Sequence, residues 1–160
     1  MSNEKKCQCP AIEDENWHLQ DLNWSGKYFY FAYLNHFFGI PLSIEKVKEK
    51  LFTEINQKEY TTVYPSMILH LPGLFQGRLL VEIEDPGQYD ANVELFEEVR
   101  ILTRVHRGPK KNLKRSVDEI KAFAQDRAHI LPGKIYFWYA TCQICAPESS
   151  LEKTVLFARI

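Results

Sequence analysis

The chain has 160 residues, enough for one domain with its own core, and its 45% hydrophobic and 26% charged composition is that of a globular protein. A formal net charge of −1 supplies no overall field for a polyanion, and no run approaches the roughly twenty apolar residues of a bilayer span. MSNEKKCQCP lacks the apolar stretch of a secretory signal, so the expectation is a cytoplasmic monomer or weak dimer with no membrane partner and no direct nucleic-acid contact.

Residues 1–25 read as an N-terminal arm carrying C-x-C at Cys7 and Cys9. From Gly26, GKYFYFAYLNHFFG is aromatic and β-favouring, and it closes at Gly39 and Pro41. Ser43 then stands where a helix cap belongs, and Ile44, Val47, Leu51 and Ile55 share one helical face. SMILHLPG and GRLLVEIEDPG follow as a hairpin.

The second half repeats that order. EEVRILTRVHRGP is a strand ending in Gly-Pro, and Asn112 can cap a helix whose face carries Leu113, Val117, Ile120 and Phe123. KIYFWYATC and EKTVLFARI form a last hairpin around a loop holding Cys145 and Pro147. His36 and His106 end the two leading strands. The matched endings argue for a duplicated unit, repeat one over 26–90 and repeat two over 91–160. The fold class is therefore α+β. A duplicated strand-helix-strand-strand unit builds a pseudo-two-fold antiparallel sheet, with helices on one face and a ligand cleft on the other.

Strand alternation sorts the faces, subject to register. Val99, Ile101 and Val105 should meet the helices, with Glu98, Arg100, Leu102, Arg104 and His106 opposite. The repeat then puts Tyr28, Tyr30, Ala32, Leu34 and His36 on that opposite face. Leu79, Val81, Ile83, Ile135 and Phe137 point to the helices. Glu82, Tyr136 and Trp138 point away, and Tyr33 and Tyr139 stand in reserve against a slip of one residue. Aromatic walls with a few carboxylates suit a flat, apolar, cationic ligand. The competing arrangement is a second core, with Trp17 and Trp24 folded over the sheet. Tyrosine hydroxyls and carboxylates favour the pocket.

Four cysteines in a reducing compartment do not favour disulfides. Cys7 and Cys9 with Cys142 and Cys145 can clamp one tetrahedral zinc and so tie down the arm, although C-x-C is the less usual spacing. The alternative is two reduced pairs. No other cofactor is required. RGPKKNLKR at 107–115 reads as a solvated basic face.

FAYLNHFFG and LTRVHRGP, each leading into a helix and a hairpin, resemble the two repeats of GyrI-like small-molecule-binding domains. The resemblance covers roughly residues 26–160, and FWYATCQICAP and TVLFARI bring it nearest the short stand-alone multidrug-binding type of green sulfur bacteria. It implies a central aromatic cleft for diverse lipophilic cations. Some members of that family are hydrolases that open the cyclopropane ring of DNA-alkylating toxins. The drug-binding relatives place a Glu in the first strand of the second hairpin, where this chain has KIYFWYATC and no acid.

Three functions follow as expectations. The first is capture of planar lipophilic, often cationic, drugs or toxins by Tyr28, Tyr30, Tyr33, Glu82, Glu98, Tyr136, Trp138 and Tyr139. The second is ring-opening hydrolysis with Glu98, then Glu82, as the base. The third is a zinc-stapled interaction protein.

Overall fold

The structure, a computed structural model, describes Cys7 and residues 9–160. Its elements in chain order are α1 (Asp14–Trp17), β1 (Asp21–Asn23), β2 (Lys27–Phe37), β3 (Ile40–Pro41), α2 (Ile44–Gln57), β4 (Ile68–Leu71), β5 (Gln76–Ile83), β6 (Val93–Phe96), β7 (Arg100–Arg107), α3 (Leu113–Ala128), β8 (Lys134–Tyr139) and β9 (Lys153–Arg159). The fold is α+β, with antiparallel strand pairing. Among the described residues no helix is long and apolar enough to cross a membrane.

Asn23–Arg100 forms one compact unit; the described residues up to Leu22 join Ile101–Ile160 in the other. In the Asn23–Arg100 unit, β5 lies between β4 and β2, β6 pairs the first half of β2, and β3 pairs its end. The apolar stripe of α2 packs on this sheet. Leu51 and Ile55 are fully buried, each contributing about 2 kcal/mol of transfer free energy. They meet Tyr30, Ala32 and Leu34 of β2 and Leu79, Val81 and Ile83 of β5.

The β5 residues face the helix as their alternation predicts, whereas those of β2 correct the expected register. Tyr28 and Tyr30 lie on the α2 side, not on the free face. The reason is that β2 is aromatic at both parities from Tyr28 to Phe31, so no polar alternation marks the outer side. Nor does its hydroxyl keep Tyr30 out of the core. It donates to Glu54 Oε2 of α2 at 2.9 Å while the ring is 1% exposed.

In the other unit the order is β1-β7-β9-β8, with α3 packed on one face through Ile120 and Ala124. Leu102, Ala158 and Leu156 meet that helix, joined by Ile135 and Phe137 as expected. The β7 register is again the reverse of the expected one. Arg104 pairs with Glu119 of α3, and His106 Nδ1 lies 2.7 Å from Ser116 Oγ of α3. Here the misleading signal is an apolar residue at both parities, Ile101 and Leu102.

Both helices begin where expected, but neither Ser43 nor Asn112 makes a side-chain cap bond. Ser43 sits in the left-handed region at φ 55°, away from the extended backbone that a capping side chain uses.

Candidate functional site

The four cysteines converge. The turn after β8 carries Cys142 and Cys145, and the segment before α1 brings Cys7 and Cys9 to them, so that all four Sγ atoms lie within 4.8 Å of one another. Cys7 Sγ is 3.4 Å and Cys145 Sγ 3.9 Å from Cys142 Sγ, too long for a disulfide of about 2.05 Å. They are close to the roughly 3.8 Å separation that a tetrahedral metal with about 2.3 Å metal–sulfur bonds would impose. Backbone N–H groups support the sulfurs: Cys9 N donates to Cys7 Sγ and Cys142 N to Cys145 Sγ, both at 3.3 Å.

Charge argues the same way. The Cys142 thiol is pulled down to about 6 by the backbone N–H groups of Cys145 and Ile144. Burial pushes Cys9 up to about 12, reinforced by its sulfur neighbours, and burial raises Cys145 too. Four thiolates this close repel one another, and a thiophilic cation between them removes that penalty.

On the face of the same unit opposite α3, strand register sets two rows: Thr103–Phe157–Tyr136 and Val105–Val155–Trp138. Tyr136 and Trp138 therefore point away from the helix as predicted, but Trp17 lies over Trp138 and Phe157. Its ring meets Trp138 edge-on at 5.7 Å and Phe157 at 5.8 Å, and Trp138 is 5% and Phe157 0% exposed; Tyr136 is buried as well. The arrangement in which the N-terminal residues fold over the sheet is the one this unit adopts. Tyr139 lies in the row with Thr154 and His106, on the α3 side, under the ammonium of Lys110 at 4.5 Å. Burial raises its hydroxyl to about 12.

A groove of about 690 Å³ in that unit runs beside β7 and α3 and is polar rather than aromatic. Its charges are largely paired internally: Arg104 and Arg115 with Glu119, and Arg107 with Asp14.

In the Asn23–Arg100 unit the face opposite α2 carries Lys27, Phe29, Phe31 and Tyr33 from β2. Register places Glu82 of β5 and Glu94 of β6 on either side of Phe29. Lys27 Nζ holds Glu82 at 2.7 Å, and Arg78 holds Glu94 at 3.3 Å while its guanidinium covers Phe31 at 4.7 Å. Trp24 stacks on Phe29, but Tyr33, edge-on to Phe31 at 5.6 Å, is 57% exposed. Tyr28 and Tyr30 are on the other side of this sheet. Glu98 lies exposed in the bend before β7, outside any strand. Sequence reasoning missed Glu94 and Arg78. The short alternating run VELF at 93–96 held the signal for the first, and no periodicity marks the second.

Over residues 1–160 the sequence matches the bacterial hydrolase family. No curated protein matches it. Solved structures that share its fold include three at 14% identity. The crystal structure of the EcmrR C-terminal domain has a TM-score of 0.60, with 89% of this chain and 96% of that one covered. The crystal structure of a hydrolase from Listeria innocua has a TM-score of 0.58, with 88% and 90% covered. The cryo-EM structure of an EcmrR–DNA complex has a TM-score of 0.62, with 88% and 55% covered, so this chain spans about half the length of that one.

The last structure corrects an expectation. A protein containing this fold stands in a DNA complex, so the exclusion of direct nucleic-acid contact does not hold. A net charge of −1 averages the whole surface, whereas phosphate contacts depend on local clusters of cations.

Proposed function

Since the chain belongs to the bacterial hydrolase family, we propose that it captures planar lipophilic, often cationic, drugs or toxins on an aromatic sheet face, in the manner of GyrI-like domains. The observation that carries this is Tyr33: an exposed ring on the free face of β2, edge-on to Phe31 and opposite Arg78, which covers Phe31 and holds the carboxylate of Glu94. A flat cation stacks on Tyr33 and takes the Glu94 carboxylate from Arg78, so charge is exchanged rather than buried unpaired. The test is a titration with a rhodamine dye followed by fluorescence anisotropy. Saturable micromolar binding that Tyr33→Ala and Glu94→Gln each weaken supports the assignment; equal affinity in both variants removes it.

The family match favours a second reading, hydrolysis of a strained electrophilic ring such as the cyclopropane of a DNA-alkylating toxin. Glu82 or Glu98 would deprotonate the attacking water, and a tyrosine hydroxyl would hydrogen-bond the leaving oxygen. Unchanged turnover in the Glu82→Gln, Glu98→Gln double variant eliminates both carboxylates.

We also assign the four thiolates of Cys7, Cys9, Cys142 and Cys145 one structural zinc, which their spacing and donor chemistry fit. Metal analysis of protein purified without chelator checks it.

A further inference from the structure

Resting on that zinc assignment, we propose that the metal is a latch. It fastens the segment from Cys9 to Gln20 over the neighbouring rings of Phe157 and Trp138, and so controls access to a second site for planar lipophilic molecules.

The segment has little structure of its own. Its one regular element, α1, is a single turn, far below the length at which a helix holds itself. It is fastened from outside at several points along its length. Lys153 Nζ donates to Ile12 O at 3.1 Å, and Asp14 pairs with Arg107 and Lys153. Thr103 Oγ1 donates to the Trp17 carbonyl and accepts from Gln20 N, and Val105 N donates to His18 Nδ1 at 3.2 Å. Such polar contacts at a partly wet surface are individually weak. The cysteine cluster at the head of the segment differs in kind, because metal–thiolate bonds close the long loop between Cys9 and Cys142.

What the segment covers is suited to a ligand. The Trp17 indole occupies the surface over Trp138 and Phe157 as an intramolecular aromatic guest, both contacts edge-on. A planar molecule entering there replaces the indole and finds the same rings. With zinc bound, Trp17 competes at the high local concentration of a tethered group; with zinc lost, the head of the segment is free and that concentration falls. This accounts for two observations together: Trp138 and Phe157 face away from the helix, as a ligand wall would, and yet are buried.

The test uses the full chain, a rhodamine dye and amide exchange over residues 12–20. Zinc content near one per chain is expected. Chelation, and separately Trp17→Ala in the zinc-loaded protein, should each tighten dye binding about tenfold. Adding Trp138→Ala should abolish that gain, and chelation should speed exchange over 12–20. Zinc bound, but with dye affinity and exchange unchanged by chelation and by Trp17→Ala, overturns the latch and leaves the zinc assignment intact. No zinc overturns both. A gain that Tyr33→Ala abolishes and Trp138→Ala does not places the site on the other unit, which overturns the latch while keeping the proposed binding function. Should chelation unfold the chain, Trp17→Ala in the zinc-loaded protein still decides.

Discussion

His36 and His70 face each other through their Nε2 atoms at 2.8 Å, their rings within 9° of parallel and both side chains buried. His36 Nδ1 is 2.9 Å from the Leu34 carbonyl, which can only accept, so Nδ1 carries the proton and Nε2 is the acceptor. His70 Nε2 must then donate. Burial, and then His36, hold His70 down at about 4 against an ordinary value of 6.5.

The sign of the linkage follows. Below about 6.5 the unfolded chain takes up a proton that the folded His70 refuses until about 4. Stability should therefore fall by about 1.4 kcal/mol per pH unit across that window, and level off beneath it. Urea unfolding at pH 7, 6 and 5 measures the slope. The His70→Gln variant should be flatter by that amount, and equal slopes would show that the pair does not titrate as described.

Gly77 belongs to the same arrangement. A Cβ there would lie 2.3 Å from the Leu71 carbonyl oxygen and 2.6 Å from His36 Cε1. The first neighbour is backbone and cannot step aside, and moving the second breaks the imidazole pair. Gly77→Ala should cost about 3 kcal/mol or more, at the upper end for overpacking. Because its clash falls partly on His36, the variant should also lose part of the acid slope. Thermal unfolding at two pH values reads both effects, and a melting temperature within a degree or so of wild type would refute the contact.

Asp90 gathers the loop before β6. Its Oδ2 accepts from Lys58 Nζ at 2.8 Å and from Tyr60 Oη at 2.7 Å, and its Oδ1 accepts from Asn92 N at 2.9 Å. Burial pushes its carboxyl up, but Lys58, the Asn92 N–H and Tyr60 outweigh that and hold it below the usual range. Its contribution is thus present above the unfolded value of 3.8 and lost as pH falls through the lower folded one. Asp90→Ala should cost about 2 kcal/mol at pH 7, since three donors lose an acceptor and one is charged. Denaturant unfolding at neutral pH checks this, and at pH 2 the gap between variant and wild type should narrow.

How far the sequence could be read depended on polar contrast along each strand. GRLLVEI places Leu79, Val81 and Ile83 on one side and Glu82 on the other, and that register is the observed one. KIYFWY sorts as well, with Ile135 and Phe137 on the helix side. In KYFYFAY both parities are aromatic, and in RILTRVH the parity that carries Arg100 and Arg104 is the one that turns to the helix, so polar contrast there marks the wrong side. Tyr30 and Arg104 show why residue type did not rescue the reading: each sits on its helix side because the helix supplies a partner, Glu54 or Glu119, that no local pattern announces. The convergence of the cysteines was legible because C-x-C and C-x-x-C each bring two sulfurs within reach of one point. The cover over Trp138 was less so, since it depends on where Trp17 is carried by a segment with almost no regular structure.

Thr103 fixes where that segment lands. It is fully buried, and its Oγ1 both donates to the Trp17 carbonyl and accepts from Gln20 N at 3.1 Å, while its own N–H donates to Gln20 O at 3.0 Å. Thr103→Val keeps the volume and the backbone bond but removes both hydroxyl bonds, leaving a carbonyl and an N–H unpaired beneath the segment. The expected cost is about 1–3 kcal/mol, the desolvation penalty of orphaned buried groups. Part of it should appear locally, because the N-terminal segment can lift without unfolding β7 and so regain water for both groups. Amide exchange should then quicken at residues 14–20 while the β7 and β9 amides stay protected. If the loss is wholly global, with exchange at 14–20 no faster than in the strands, the segment is an integral part of the sheet rather than a layer fastened upon it.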